Sequence, residues 1–147
     1  MRMDKLTNQL QMALADAQSL ALGKDHNYIE PVHLLSVLLE QQGGSARPLL
    51  QKAGADVAAL REATHAAVDA LPTVAGSGGD IQVSPDLGRI LNVTDKLAQK
   101  GGDTYISSEL FLLARLNSNT YAGELLKSHG VTPAALKTAF DDVRGGE

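Results

Sequence analysis

The chain has no cysteine and no tryptophan. Without cysteine, a disulfide scaffold, a thiolate zinc site and a Cys nucleophile are all excluded. The absence fits a reducing cytoplasm, which is the expected location. Aromatic residues are scarce: two Phe and three Tyr in 147 residues. The 44% apolar content is mostly Leu and Ala, which favour helices, while the β-branched and aromatic residues that fill strands are sparse. An all-α fold is expected. No stretch approaches the roughly 18–20 apolar residues of a membrane span. The start, Met1-Arg2-Met3-Asp4-Lys5, leads into a polar helix and not into the apolar centre of a signal peptide. The 13 Lys and Arg never cluster and the net charge is -4. A nucleic-acid binder needs a basic stripe against phosphates, so that class is set aside. Neither nucleic acid nor membrane is an expected partner.

What the chain does contain is one unit written twice. At an offset of 77, Leu10 falls on Leu87, Leu14 on Leu91, Leu20 on Leu97, Tyr28 on Tyr105, Ile29 on Ile106 and Leu39 on Leu116. After a deletion the offset becomes 76, placing Gly54 on Gly130 and Leu60 on Leu136. Such self-similarity implies two copies of a helical unit packed together. Each unit reads as four helices, about eight in all. The expected organisation is unit one at 4–71, a Gly/Ser-rich linker at 72–83, unit two at 84–143, and the start of a further linker at 144–147.

The first helix is expected over Asp4 to Leu22, with Leu6, Leu10, Leu14, Ala17 and Ala21 on one face. Its counterpart spans about Asp86 to Lys100, with Ser84 as N-cap and Pro85 at the first helical position. The second helices, Val32–Leu39 and Leu110–Leu116, are apolar on nearly every side and should be buried. Pro31 and Ser107 mark their starts. Third helices follow around Pro48–Ala53 and Tyr121–Ser128, closed by Gly54 and Gly130. Fourth helices begin near Asp56 and at Thr132-Pro133.

Motifs for chemistry are weak. The P-loop pattern is absent, because Gly23-Lys24 lacks both the preceding Gly and the following Ser or Thr. Glu30-x-x-His33 and Glu62-x-x-His65 have the spacing of di-iron bundle ligands. The second unit, however, has Ser107 and Leu110 where Glu30 and His33 stand. His33 is read as a structural His at a helix start, and His65 as a solvent residue. No Gly-x-Ser-x-Gly elbow is present. A helical domain without a catalytic constellation is expected to bind another protein through an apolar groove. Val93 and Leu22, off the main stripes, are candidate contributors.

Several segments carry a family resemblance. They include Met1–Thr7 with Ala13–Ala21, Ile29-Glu30-Pro31-Val32-His33-Leu34-Leu35, Asp95–Lys100, and above all Gly102-Asp103-Thr104-Tyr105-Ile106-Ser107-Ser108-Glu109-Leu110-Phe111. Over its whole length the chain resembles the Clp N-terminal domain, in the form found in the ClpB family of disaggregating chaperones. The resemblance implies a module without an active site, cofactor or metal of its own. The implied parent is a hexameric AAA+ ATPase that extracts chains from aggregates with the Hsp70 system. Its ATP and Mg sites would lie in modules outside this chain. Partners would be unfolded or aggregated clients, and the isolated domain a monomer.

Residue by residue, the resemblance points to substrate handling by Thr7, Asp103 and Glu109. It also implies a groove between the first helices of the two units, using Leu91, Leu97 and Leu110. Plainer roles stand beside these: Thr7 as a helix-surface hydroxyl, Asp103 as a turn former, Glu109 as a favourable charge at a helix start, Leu91 and Leu97 as core. The alternative function is an adaptor-docking module of a protease-linked Clp unfoldase. Gly101 and Arg115 depart from the family pattern.

Overall fold

The computed structural model describes residues 3–74, 81–116 and 121–145. A 3-10 turn, Met3–Lys5, precedes α1 (Asn8–Gly23), β1 (Tyr28–Ile29), α2 (Pro31–Glu40), α3 (Ala46–Lys52) and α4 (Val57–Asp69). Then follow β2 (Gln82–Val83), α5 (Pro85–Lys100), α6 (Ser108–Leu116), α7 (Tyr121–Ser128) and α8 (Pro133–Gly145). The fold is helical, as its composition implies, with one two-stranded parallel sheet among the described residues. None of the described helices is long and apolar enough to cross a membrane.

Short polar side chains set the helix starts by occupying N–H groups that have no partner inside the helix. Leu10 N donates to Thr7 Oγ1 at 3.2 Å and Leu87 N to Ser84 Oγ at 3.1 Å. Asp56 and Thr132 do the same for α4 and α8, accepting from Ala59 N and Ala135 N at 3.2 and 3.1 Å. Gly54 and Gly130 follow α3 and α7 with φ of +96° and +87°, where a side chain would be strained.

The first helix is shorter than its apolar spacing suggests. It begins at Asn8, because Leu6 is drawn into a parallel bridge with Ile106. Thr7 N then donates to Ile106 O at 3.0 Å. The same event occurs in the other half. Val83 pairs with Ile29, and Ser84 N donates to Ile29 O at 3.0 Å. An offset of 77 maps one crossing onto the other, so each unit's leading segment pairs inside the opposite unit. Helix packing repeats the exchange: α3 packs on α8, α4 on α7, α2 on α7 and α3 on α6. Residues 75–80, inside the expected linker, lie outside the described residues. The described flanks are paired, Val74 N donating to Asp25 O at 2.8 Å and Gln82–Val83 forming β2.

α2 and α6 form the centre. Leu34, Leu35, Leu38 and Leu39 are buried in one, and Leu110, Phe111, Leu112 and Ala114 in the other. Arg115 is buried with them, fully enclosed. Its Nη1 donates to Pro31 O at 3.3 Å, and its guanidinium lies 5.2 Å from the Phe111 ring centre. Burial pulls its pKa down to about 9, so it stays cationic at neutral pH.

Candidate functional site

The broadest concavity among those described runs between α1 and α5, with a volume of about 610 Å³. α1 contributes Gln11, Leu14, Ala15 and Gln18, and α5 contributes Gly88, Leu91 and Asn92. Ile29 of β1, Val83 of β2 and Ile81, just before β2, close one end. These positions follow from helix periodicity. Leu10, Ala13, Ala17 and Ala21 take the core face of α1. That leaves Leu14, half-buried, on the flank that looks across at α5. Leu91 is its pseudo-equivalent on α5. Among the described residues none of the lining side chains is charged: six are apolar, three carry amides and Gly88 has none. Val83 is 41% exposed, so apolar surface remains there for a ligand to cover.

Of the six candidate residues, Leu91 lines this groove. Leu97 is half-buried against the core, and Leu110 is buried at the start of α6. Thr7, Asp103 and Glu109 gather around the Leu6–Ile106 crossing. Thr7 is the α1 N-cap and its N–H is bonded to Ile106 O. Asp103, half-buried, lies in the α5–α6 connection, its N–H donating to Ala98 O at 2.8 Å. Glu109 stands half-buried in the first turn of α6. Along α1 the groove lining stops at Gln11, one turn after Thr7, so this polar trio lies beyond the end remote from β1 and β2. Val93 is exposed and Leu22 half-buried, and neither is among the lining residues.

Ile29, Ile81 and Val83 were not singled out as groove residues by sequence. The signal available was the repeat, since an offset of 77 sets Val83 opposite Leu6 and Ile29 opposite Ile106. The groove amides Gln11, Gln18 and Asn92 carry no sequence signal at all.

The Glu-x-x-His pairs do not assemble. Glu62 and His65 are on the exposed face of α4, with His65 Nε2 3.1 Å from Glu40 Oε1. His33 is fully buried, and both ring nitrogens are engaged. Nδ1 accepts from Glu30 N at 2.8 Å, and Nε2 lies 2.8 Å from His26 Nδ1. Burial first, and His26 second, lower the His33 pKa to about 4. Among the described residues no three His, Asp or Glu side chains converge as a metal site.

Comparison with known proteins agrees with this architecture. The family model described as the Clp repeat (R) N-terminal domain matches residues 5–139. The chaperone protein ClpB of Pseudomonas putida is 53% identical over 146 residues, covering 99% of this chain and 17% of that protein. The chain therefore spans about a sixth of the length of that relative. The crystal structure of the Hsp104 N-terminal domain from Candida albicans superposes with a TM-score of 0.85 at 20% identity, covering 97% of this chain and 93% of that one. A ClpV N-domain in complex with a VipB peptide gives a TM-score of 0.76 at 24% identity, covering 95% of this chain and 86% of that one.

Proposed function

The chain belongs to the Clp repeat N-terminal domain family, and from that premise we propose that its α1–α5 groove receives apolar segments of unfolded or aggregated polypeptides. The chain then serves as the client-receiving module of a longer ClpB-type disaggregase. Carrying the reading is the groove itself: an open trough walled by Leu14, Ile29, Ile81, Val83 and Leu91, with no charged side chain among its described lining residues. Burial of apolar surface is non-directional, about 25 cal/mol per Å², so such a trough tolerates many sequences. Gln18 and Asn92 each offer a donor and an acceptor to a client main chain, and Gln11, whose Nε2 already donates to Leu6 O at 3.0 Å, offers its carbonyl and its second N–H. A peptide-bound ClpV N-domain of the same fold supports a role in holding peptides. A groove that buries less than about 1,200 Å² on binding is in the transient class. Weak holding suits a module that must pass its client on.

Thr7, Asp103 and Glu109 form a polar mouth beyond the groove, where the two carboxylates meet basic or N–H groups of the client. Leu97 and Leu110 act from beneath, by holding α5 and α6 in place. ATP hydrolysis, Mg binding, hexamer formation and work with Hsp70 belong to the remainder of the parent, in the cytoplasm.

The test is titration of this chain with a fluorescent, permanently unfolded protein. Val83→Asp places a charge on an already exposed position and is expected to weaken binding about tenfold, or about 1.4 kcal/mol. Asp103→Asn and Glu109→Gln are expected to cost less, and to lessen the salt dependence. Unchanged affinity in Val83→Asp would remove the groove from the account.

A further inference from the structure

β1 is two residues long and forms part of one end of the groove, through Ile29. It is held on both sides by one buried pair of rings. Before it, His26 is 3% exposed, donates its N–H to Ala21 O at 2.9 Å, and pairs with Thr73 in an antiparallel bridge. After it, Glu30 N donates to His33 Nδ1 at 2.8 Å. The two rings meet at 2.8 Å, His26 Nδ1 to His33 Nε2.

This geometry fixes the protons. His33 Nδ1 accepts, so its single proton sits on Nε2 and is donated to His26 Nδ1. His26 in turn carries its proton on Nε2. A second proton on His33 sets two N–H groups face to face at Glu30. A second proton on His26 does the same between the rings. Either event breaks a buried hydrogen bond; on His33 it also leaves a cation fully enclosed, whereas His26 lines a surface cleft of about 290 Å³ beside Leu71 and Val74.

We propose that this ring pair is a proton-sensitive latch: neutral, it clamps β1 and so one end of the groove, and protonation frees that end while the Ile106 crossing stays closed. The contrast is built into the repeat. At the Ile106 crossing, an offset of 77 puts Asp103 and Leu110 where His26 and His33 stand, so no ring pair exists there. Charged groups around the latch are Lys24 and Asp25 from the α1–β1 connection, Glu30 at the start of α2, and Asp69 from α4. Burial, then Lys24, lower the His26 pKa, and the three carboxylates oppose them. Lys24 is itself held by Asp69 at 2.7 Å.

Both rings resist protonation when the latch is closed, and an opened latch returns them to about 6.5. The closed state therefore binds fewer protons. Its advantage is complete above about pH 6.5 and is lost as pH falls towards the His33 value of about 4. The latch itself requires no client; only its consequence for binding rests on the groove reading.

The test is amide hydrogen exchange on this chain, without client, between pH 7.5 and 4.5. The Ser84 amide reports the latched crossing, and Thr7, its pseudo-equivalent, is the internal control. Protection at Ser84 relative to Thr7 is expected to fall below pH 6.5, with a limit of about 100-fold per pH unit for two protons. His26→Asn keeps a neutral acceptor for His33 Nε2 and removes one proton, which lowers that limit to about tenfold. A Ser84-to-Thr7 ratio constant across the range, or a pH slope unchanged in His26→Asn, overturns the latch.

Discussion

Arg115 carries a cation into the centre of the molecule, beside Phe111 and beneath the first turn of α2. Removing a guanidinium from water is costly, and its hydrogen bonds and the ring face offset only part of that cost. Replacement by Met keeps most of the volume and removes the charge. Arg115→Met is therefore expected to match or exceed the native stability in urea unfolding. Arg115→Ala leaves a cavity and is expected to lose about 2–4 kcal/mol. A Met variant as weak as the Ala variant would show that the guanidinium's own bonds dominate. Thr7 and Ser84 give a second pair of residue-scale expectations. Each caps a 16-residue helix with its hydroxyl and closes a crossing with its N–H. Thr7→Ala and Ser84→Ala should each cost about 1 kcal/mol, read in the same unfolding experiment. Their similarity is the point, because the repeat gives the two hydroxyls one job. A substantially larger loss at Thr7 would mean that it holds more than a helix start.

Among the elements, the reciprocal exchange of segments has a direct consequence. Among the described residues Leu6 pairs with Ile106 and Val83 with Ile29, and α3 and α4 pack on α8 and α7. Neither unit can bury its apolar faces alone. Cutting the chain between Gly78 and Gly79 should give two halves that show little helix by circular dichroism and regain it on mixing. A folded, monomeric half would contradict the exchange. The helices themselves were legible, because apolar residues recur at helical spacing and Ser, Thr, Asp, Pro and Gly mark the ends. α2 and α6 were also recognisable as central, being apolar on almost every side. The crossings were not. A two-residue strand has no periodicity, so Leu6 reads as the first residue of a helical stripe and Val83 as the end of a linker. The site was legible in part for the same reason. Leu91 sits on a helix whose faces can be counted. Ile29 and Val83 owe their place at the groove to pairing between distant segments, which only the repeat hints at. His26 gives no local signal, since its role depends on a ring seven residues away and on a backbone turned between them.

At the scale of the whole molecule, two kinds of surface are held apart. The trough between α1 and α5 has no charged side chain among its described lining residues and is built from both units, while Asp103 and Glu109 stand three residues before and after Ile106 of the remote crossing. A client segment seated in the trough touches both repeats at once, so the doubled unit is a condition of the site and not only an echo in the sequence. The central claim is that this trough takes unfolded chain. It is tested most directly by two-dimensional amide NMR of this chain during titration with a permanently unfolded protein. The account predicts shifts confined to Gln11, Leu14, Gln18, Ile29, Val83, Leu91 and Asn92, with smaller, salt-sensitive shifts at Thr7, Asp103 and Glu109. Absence of shifts at high client concentration, or shifts confined to the cleft between α2 and α4 beside Val37 and Val68, would contradict it.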